Sequence, residues 1–374
     1  MPGPYGAPVR FGRIAQILTG NKGFMSDSLG ESPRIALDAT YSVGGDLSGV
    51  GLYSHEMLRG LARSHPEARF DFCYRPHRYW RSRAAPLPPN ARRRLLAGPF
   101  GPRAADLFHG LNQRLPRIPM RRAIATFHDL FVLTGEYSTG EFRARFAAQA
   151  RDAAQRSSAI IAVSAFTKNA VVSLLGVEAS KVRVVHHGVR DLPYCPAPRE
   201  KVVLNVGAIQ KRKNIARLVE AFETLEPGWQ LVLAGSLGFG SEDILARIGR
   251  SPARGRISIL GYVPPDVLAR WYSRAMIFAF PSLDEGFGMP VLEAMAAGTP
   301  VVTSTGSALP EVAGDAAVLV DPGDTEALGV ALRLLARNED LRRDLAGRGL
   351  ARARLFTWEK AARETWDVYR EVLR

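Results

Sequence analysis

The sequence predicts an α/β protein made of two doubly wound domains in tandem, with a ligand cleft between them. Three observations carry this. Short β-branched runs alternate with helical stretches along most of the chain, the pattern of βαβ units and a parallel sheet. The pattern breaks at residues 190–200, "RDLPYCPAPRE", which holds three prolines and no period, and then restarts. The chain has 374 residues, 46% hydrophobic and 23% charged, an ordinary globular composition and enough length for two cores.

In chain order, residues 1–33 are rich in Gly, Pro and Ser and show no sustained period, so they read as a loose extension, with Met25 a second candidate start. The first domain spans 34–190, with strands expected at 34–39, 69–74, 106–109, 123–127, 159–163 and 182–186. Residues 191–200 form the linker. The second domain, 201–355, has strands expected at 201–207, 229–235, 256–263, 276–282, 300–304 and 316–321. A cleft follows where strand ends and helix starts of the two domains converge.

Composition excludes several classes. Two distant cysteines, Cys73 and Cys195, cannot form the framework of a small disulfide scaffold and fit a reducing cytoplasm. The apolar runs stop short of the ~20 residues that a membrane span needs, and the N-terminus lacks the long apolar core of a secretion signal. The net charge of +14 is one-sided: residues 1–190 hold 27 Lys plus Arg against 13 acids, whereas 191–374 hold 23 against 23. Residues 73–103 carry eight arginines and no acid, interleaved with Tyr74, Tyr79, Trp80 and Phe100. Such a segment suits an anionic surface, phospholipid or nucleic acid, or is a solvated basic loop.

The second domain carries the chemistry. In "NVGAIQKRKNIARLVEAF" a strand ends at Gly207 and an amphipathic helix begins near Asn214, with Ile215, Leu218, Val219 and Phe222 on one face. Lys211, Arg212 and Lys213 therefore crowd a helix start, whose partial positive charge repels them. An anion placed there would turn the repulsion into a site, and a phosphate is the expected one. In "FAFPSLDEGFGMPVLEAMAAGTPVV" a buried strand enters a loop with Gly286 and Gly288, and Pro290 opens a two-turn helix ended by Gly298 and Pro300. That helix is apolar on every side except at Glu293, for which a ligand hydroxyl is the expected partner and an internal salt bridge the alternative. Glu285 reads as a capping-box acid answering Ser282, and the glycines as places where backbone N–H groups approach a ligand. His128 ends the apolar strand "AIATF", where a parallel sheet presents ligand residues, or where a histidine simply hydrogen-bonds a neighbouring loop. Ser164 reads as a helix cap.

Residues 285–293, "EGFGMPVLE", resemble the E-x7-E signature of retaining, nucleotide-sugar-dependent glycosyltransferases of the GT-B architecture (family 4, "group 1" type), built from two Rossmann-like domains. Other motifs follow in the same order over roughly 34–370: the glycine loop and first helix at 45–63, "TFHDL" at 126–130, the first-domain ending at 163–189, the phosphate loop "VGAIQKRKN" at 206–214, and 298–324 after the second Glu. Residues 356–374 resemble the family's closing helix, which returns to the first domain.

The resemblance implies roles for the matching residues. Arg212 and Lys213 would hold the donor pyrophosphate and neutralise the leaving diphosphate; Glu293 would accept the ribose hydroxyls and Glu285 those of the sugar. Gly49 and Gly51 would bring first-domain amides to the pyrophosphate, with Gly286, Phe287 and Gly288 lining it from the other side. His128 would approach the transferred sugar or the acceptor. Retention by same-face attack is implied, with no cofactor and no metal, since Arg212 and Lys213 supply the charge that leaving-group departure demands.

Two positions depart from the pattern. Ala208 stands where many members have arginine, so the second phosphate cation is Arg212 or is missing, and the first domain ends His187-Gly188-Val189-Arg190 where Asn-Gly-Val-Asp is usual. The "AIQKRKN" version looks most like mannosyltransferase-type members, which favours GDP-mannose over a UDP-sugar. The implied partners are a glycan or lipid-linked acceptor and an anionic membrane surface, not nucleic acid, with the protein cytoplasmic and peripheral on the inner membrane face. The rival readings are a nucleotide-sugar 2-epimerase of the same architecture and an anion- or nucleic-acid-binding protein acting through the basic first domain. A nicotinamide dehydrogenase is set aside because "GVGLYS" lacks the third glycine.

Overall fold

The computed structural model describes residues 32–374 except 45, 46, 48, 194 and 196. The expected extension at 1–33 and the alternative start at Met25 lie almost wholly outside the described residues. From Pro33 onward the chain forms one compact unit. It contains two parallel sheets.

The first sheet has strands β1 (Arg34–Asp38), β2 (Arg69–Tyr74), β3 (Ala91–Leu95), β4 (Leu107–Gly110), β5 (Ala123–Phe127), β6 (Ala159–Ala162) and β7 (Val182–Val184), in the order β3-β2-β1-β4-β5-β6-β7. The second has β8 (Glu200–Val206), β9 (Gln230–Ala234), β10 (Ile257–Gly261), β11 (Ala275–Phe280), β12 (Val301–Ser304) and β13 (Ala317–Val320), in the order β10-β9-β8-β11-β12-β13. Every strand pair is parallel. The expected strands are present, most within one or two residues of the expected ends.

Both faces of each sheet are covered, as period-2 alternation requires. In β1, Ile35 and Leu37 enter one core while Ala36 enters the other; in β8, Val202 and Leu204 face one core and Val203 the opposite one. The C-terminal helix Trp358–Leu373 packs on the first domain, where Ala361, Trp366 and Tyr369 join the core beneath helix Gly49–Ser64.

One expectation needs correction. The basic stretch 73–103 is not a loose loop: it contains helix Pro76–Ser82 and the edge strand β3. Strand β3 reads "ARRRL", three consecutive arginines, which neither period-2 alternation nor an apolar run would have marked as a strand. Tertiary pairing explains it. Asp71, buried on β2, draws Arg92 to 2.5 Å and Arg94 to 3.6 Å from the neighbouring strand, while Arg93 donates to Ser82 O. Charged edges of this kind also discourage pairing with another chain.

Two places deserve the rule that open α/β sheets bind ligands beyond strand carboxyl ends where the strand order reverses. In the first domain that point lies between β1 and β4; in the second, between β8 and β11.

Candidate active site

The second-domain reversal point is where the sequence motifs meet. Strand β8 leads to the short turn Lys211–Lys213, and β11 leads to the loop that holds Glu285. Asn214 links the turn to helix Ile215–Glu223 in the left-handed conformation, φ 59°, which asparagine tolerates because its short amide bonds locally. Its Nδ2 donates to Pro281 O at 3.0 Å and to Pro322 O at 2.8 Å, tying the turn to the loop after β11. Ile215, Leu218, Val219 and Phe222 are wholly buried, so the expected helix face anchors the turn from behind.

Within the protein the crowded cations share one side-chain anion. Glu285 takes Lys213 Nζ at 2.5 Å on one oxygen and Arg212 at 3.0 Å on the other, and all three residues are buried. Arg212 also donates to Asp284 O and lies over the Phe131 ring at 4.2 Å, while Lys213 Nζ lies 4.5 Å from the Phe280 ring centre. Burial alone would raise the Glu285 carboxyl, but Lys213 and Arg212 outweigh it and hold it at about 2. Its stabilising charge is therefore present above the usual carboxylate range and lost only as pH falls through about 2. Glu285 does not act as a capping-box acid for Ser282, whose Oγ has no partner. Lys213 and Arg212 claim its carboxylate instead.

The glycine loop has a packing task. A Cβ on Gly286 would lie 1.7 Å from the carbonyl oxygen of His128, so only glycine lets this loop close on the first domain. The Gly286 carbonyl accepts from Ser164 Oγ at 2.7 Å and Thr167 Oγ1 at 3.1 Å. Ser164 is a helix cap as expected, accepting from Thr167 N, and also a cross-domain donor. Further cross-domain bonds run from Thr134 Oγ1 to Asp284 at 2.9 Å, and from Ala165 N and His186 Nε2 to Glu311 at 2.9 and 2.7 Å. Gly288 has φ 104° and leads into helix Met289–Ala296, with Pro290 at its second position. From the first domain, Gly49 brings the start of its helix against Met289: a Cβ there would lie 3.0 Å from Met289 Cε, and one on Gly51 2.9 Å from Tyr41 O. The Phe287 ring is buried against His187, centroids 4.8 Å apart, and packs instead of facing the cleft.

Glu293 has internal partners, the alternative that the sequence also allowed. Its carboxylate accepts from Tyr272 Oη at 2.8 Å and is paired with Arg190 Nε at 3.1 Å, so the internal bridge is present. A carboxylate offers about four acceptor sites, and these two donors leave room for more. Arg190 is the residue that departs from the usual first-domain ending, and opposite a carboxylate an arginine makes sense where aspartate would not. The helix is also less enclosed than expected: Ala296 is exposed and, with Glu293, Arg190 and Tyr272, lines a cavity of about 980 Å³.

His128 sits at the end of β5, 7% exposed, with Nε2 2.9 Å from Leu111 O and Nδ1 3.2 Å from His187 Nε2. Burial lowers it to about 4, so it is neutral at pH 7 with both nitrogens engaged inside the protein. Sequence reasoning passed over its neighbour. Asp129, facing the Arg212–Glu285 pair, is pushed up to about 7 by burial; Arg212 lowers it, and Glu285 and Asp284 raise it. The signal was the second half of the His-Asp pair in "TFHDL". Tyr272, by contrast, carried no sequence signal, since only the fold brings its hydroxyl to a helix twenty residues on.

The family described as glycosyl transferases group 1 matches residues 196–352, and glycosyltransferase family 4 matches 47–191. The chain is 31% identical over 282 residues to the O-antigen chain mannosyltransferase B of Escherichia coli, an alignment that covers 71% of this chain and 74% of that protein. Among solved structures it resembles sucrose-phosphate synthase from Thermosynechococcus elongatus, with TM-score 0.72, 24% identity and coverage of 91% of this chain and 98% of the other. It also resembles Anabaena HepE in complex with UDP and glucose, with TM-score 0.70, 18% identity and coverage of 91% and 99%. The two parallel-sheet domains, the ordered motifs and these matches agree: the chain belongs to the group 1, family 4 glycosyltransferases and has their two-Rossmann-domain GT-B fold.

Proposed function

We propose that this glycosyltransferase moves a hexose from a nucleotide sugar to a glycan or lipid-linked acceptor with retention of anomeric configuration, using no metal. Mannose from GDP-mannose is the favoured donor. The observation that carries the reading is the buried Lys213–Glu285–Arg212 cluster at the reversal point of the second sheet, beside the amide-rich loop 286–288. In the reaction the anomeric C–O bond to the diphosphate breaks, the diphosphate leaves with the electron pair, and the acceptor oxygen forms the new bond while its proton passes to a diphosphate oxygen. Lys213 and Arg212 oppose the charge that grows on the leaving group, and fixed cations in a water-poor site stabilise such charge more than mobile ones do. Glu285, held between them, presents its remaining lone pairs to sugar hydroxyls, and Glu293 presents its own to the ribose. A carboxyl held near 2 is a poor base, which disfavours the epimerase reading. The mannose preference is supported by the mannosyltransferase relative, and the neighbour in complex with UDP and glucose keeps a UDP-sugar as the alternative.

The basic first domain favours a peripheral position on an anionic leaflet on the cytoplasmic side. Trp80 and Phe100, 70% and 66% exposed, stand in its basic segment, and aromatic rings among cations suit a headgroup layer. No helix among the described residues is long and apolar enough to cross a membrane.

A thermal-shift screen with GDP-, UDP- and ADP-sugars tests the donor. A sugar nucleotide bound at about a hundred times its dissociation constant stabilises by ~2.7 kcal/mol. GDP-mannose should give the largest shift, followed by transfer to a mannose-terminated acceptor; no shift with any of the three would overturn the site assignment.

A further inference from the structure

Three arginines gather at the first-domain reversal point. Arg75 follows β2 directly, and Arg114 and Arg117 follow β4, so three guanidinium groups converge at the sheet edge that also carries His128. They line a cavity of about 230 Å³ together with Gln149 and Asp152 of helix Gly140–Arg156. The acids nearby balance them only in part. Asp152 is paired with Arg156 at 3.0 Å, and Asp38, 1% exposed, pairs with Arg75 at 3.8 Å with no hydrogen bond to its Oδ2, so one acid faces three arginines. Arg114 donates to the Tyr41 hydroxyl at 3.3 Å and has no ion pair within 4 Å among the described residues, and Arg117 has neither an ion pair nor a hydrogen bond among them. A second cavity of about 490 Å³ shares Arg75, Leu115 and Arg117 with the first and continues along Leu96, Pro116 and Ile118. Its wall includes Gly98, and the same turn ends at the exposed Phe100.

The first cavity is lined mainly by charge, and the second sets Leu96, Leu115, Pro116 and Ile118 beside the shared Arg75 and Arg117 and His77, a lining that suits a ligand with a charged end and an apolar chain. We propose that this pair of cavities binds a phosphate ester carried on an apolar chain, with the phosphate on Arg75, Arg114 and Arg117 and the chain along Leu96, Leu115 and Ile118. Arginine forks suit phosphate oxygens because they offer paired donors in fixed geometry. The inference deepens the proposed function by giving the acceptor class, and it rests on reading the first domain as the acceptor half.

Calorimetry with hexyl phosphate, inorganic phosphate and hexanol tests it on the full chain without donor or transfer, so a failed donor screen leaves this result standing and the reverse. Hexyl phosphate should bind at least about tenfold more tightly than either fragment, and Arg117→Gln should weaken it about tenfold, the scale of one lost charge-assisted bond. Arg117 is exposed and unpaired, so the variant has no structural contact to lose; R114Q/R117Q should abolish binding. Arg151→Gln, an exposed charge on helix Gly140–Arg156, serves as the net-charge control and should change nothing. Equal affinity for hexyl phosphate and inorganic phosphate, or an R117Q variant that binds like wild type, overturns the proposal. So does an R117Q variant that loses only flotation with phosphatidylglycerol vesicles, since the arginines would then serve a surface and not a pocket.

Discussion

The two reversal points of this molecule use the same residue types to opposite effect. In the second domain, Arg212 and Lys213 are buried on Glu285, which accepts one cation on each oxygen. In the first, Arg75, Arg114 and Arg117 surround a cavity where Asp38 reaches Arg75 at 3.8 Å and Asp152 is paired with Arg156, so the arginines outnumber the acids free to meet them. The first arrangement is a preorganised charge cluster, two cations on one carboxylate, neutralised enough to survive without ligand. The second is a rim with more cations than acids. Burial decides between them: a buried cation without a partner costs several kcal/mol, whereas a partly hydrated arginine can wait for one.

The largest expected effect tests the second-domain cluster. Lys213→Ala should lower kcat by about a hundredfold, the scale of one lost transition-state donor, with a smaller change in donor dissociation constant. Equal losses in binding and turnover would instead make Lys213 a uniform binding group.

Glu293→Gln should weaken donor binding about tenfold, because one charged acceptor for ribose hydroxyls is lost. A 2′,3′-dideoxy nucleotide should bind wild type and variant alike, and a tenfold gap there would remove the ribose role.

Asp129 gives the pH dependence. Its folded value is raised to about 7 from an ordinary 3.8, so its stabilising contribution is full below pH ~4 and disappears as pH rises through ~7. Asp129→Asn should therefore gain thermal stability over wild type from pH 7 to 9, the difference shrinking toward pH 5. A difference in Tm that stays flat across that range would contradict this environment for Asp129.

The smallest effect belongs to the first-domain edge. Arg92→Ala should cost at most ~1 kcal/mol, since its side chain is 45% exposed and Arg34 and Arg94 also lie within 4 Å of Asp71. Urea unfolding that shows a loss of several kcal/mol would mean that β3 is held by this one pair.

Much of the site was legible because the motifs are local. A strand that ends at glycine, a cationic turn and an amphipathic helix follow one another within twenty residues, so Lys213 and Arg212 could be placed at a helix start from spacing alone. The segment 285–293 was equally readable, since its glycines and proline force a turn and a helix start. Strand β3 was not legible, because three arginines in a row become a strand only when a buried aspartate on the neighbouring strand draws them there. Nor was the partner of Glu293, because Tyr272 and Arg190 reach it from elements far away in sequence.

By itself the sequence determined two doubly wound domains, the cationic turn 211–213 at a helix start, the glycine-rich stretch 285–293, and the basic bias of the first half, all of which depend on periodicity or on neighbours along the chain. Only the tertiary structure decided that Glu285 is the anion between Arg212 and Lys213, that Gly286 must be glycine to pass the His128 carbonyl, and that Arg75, Arg114 and Arg117 share one cavity. The reason is physical: a charge's partner is set by distance and burial in space, and parallel strands joined by crossovers bring together residues that lie tens of positions apart.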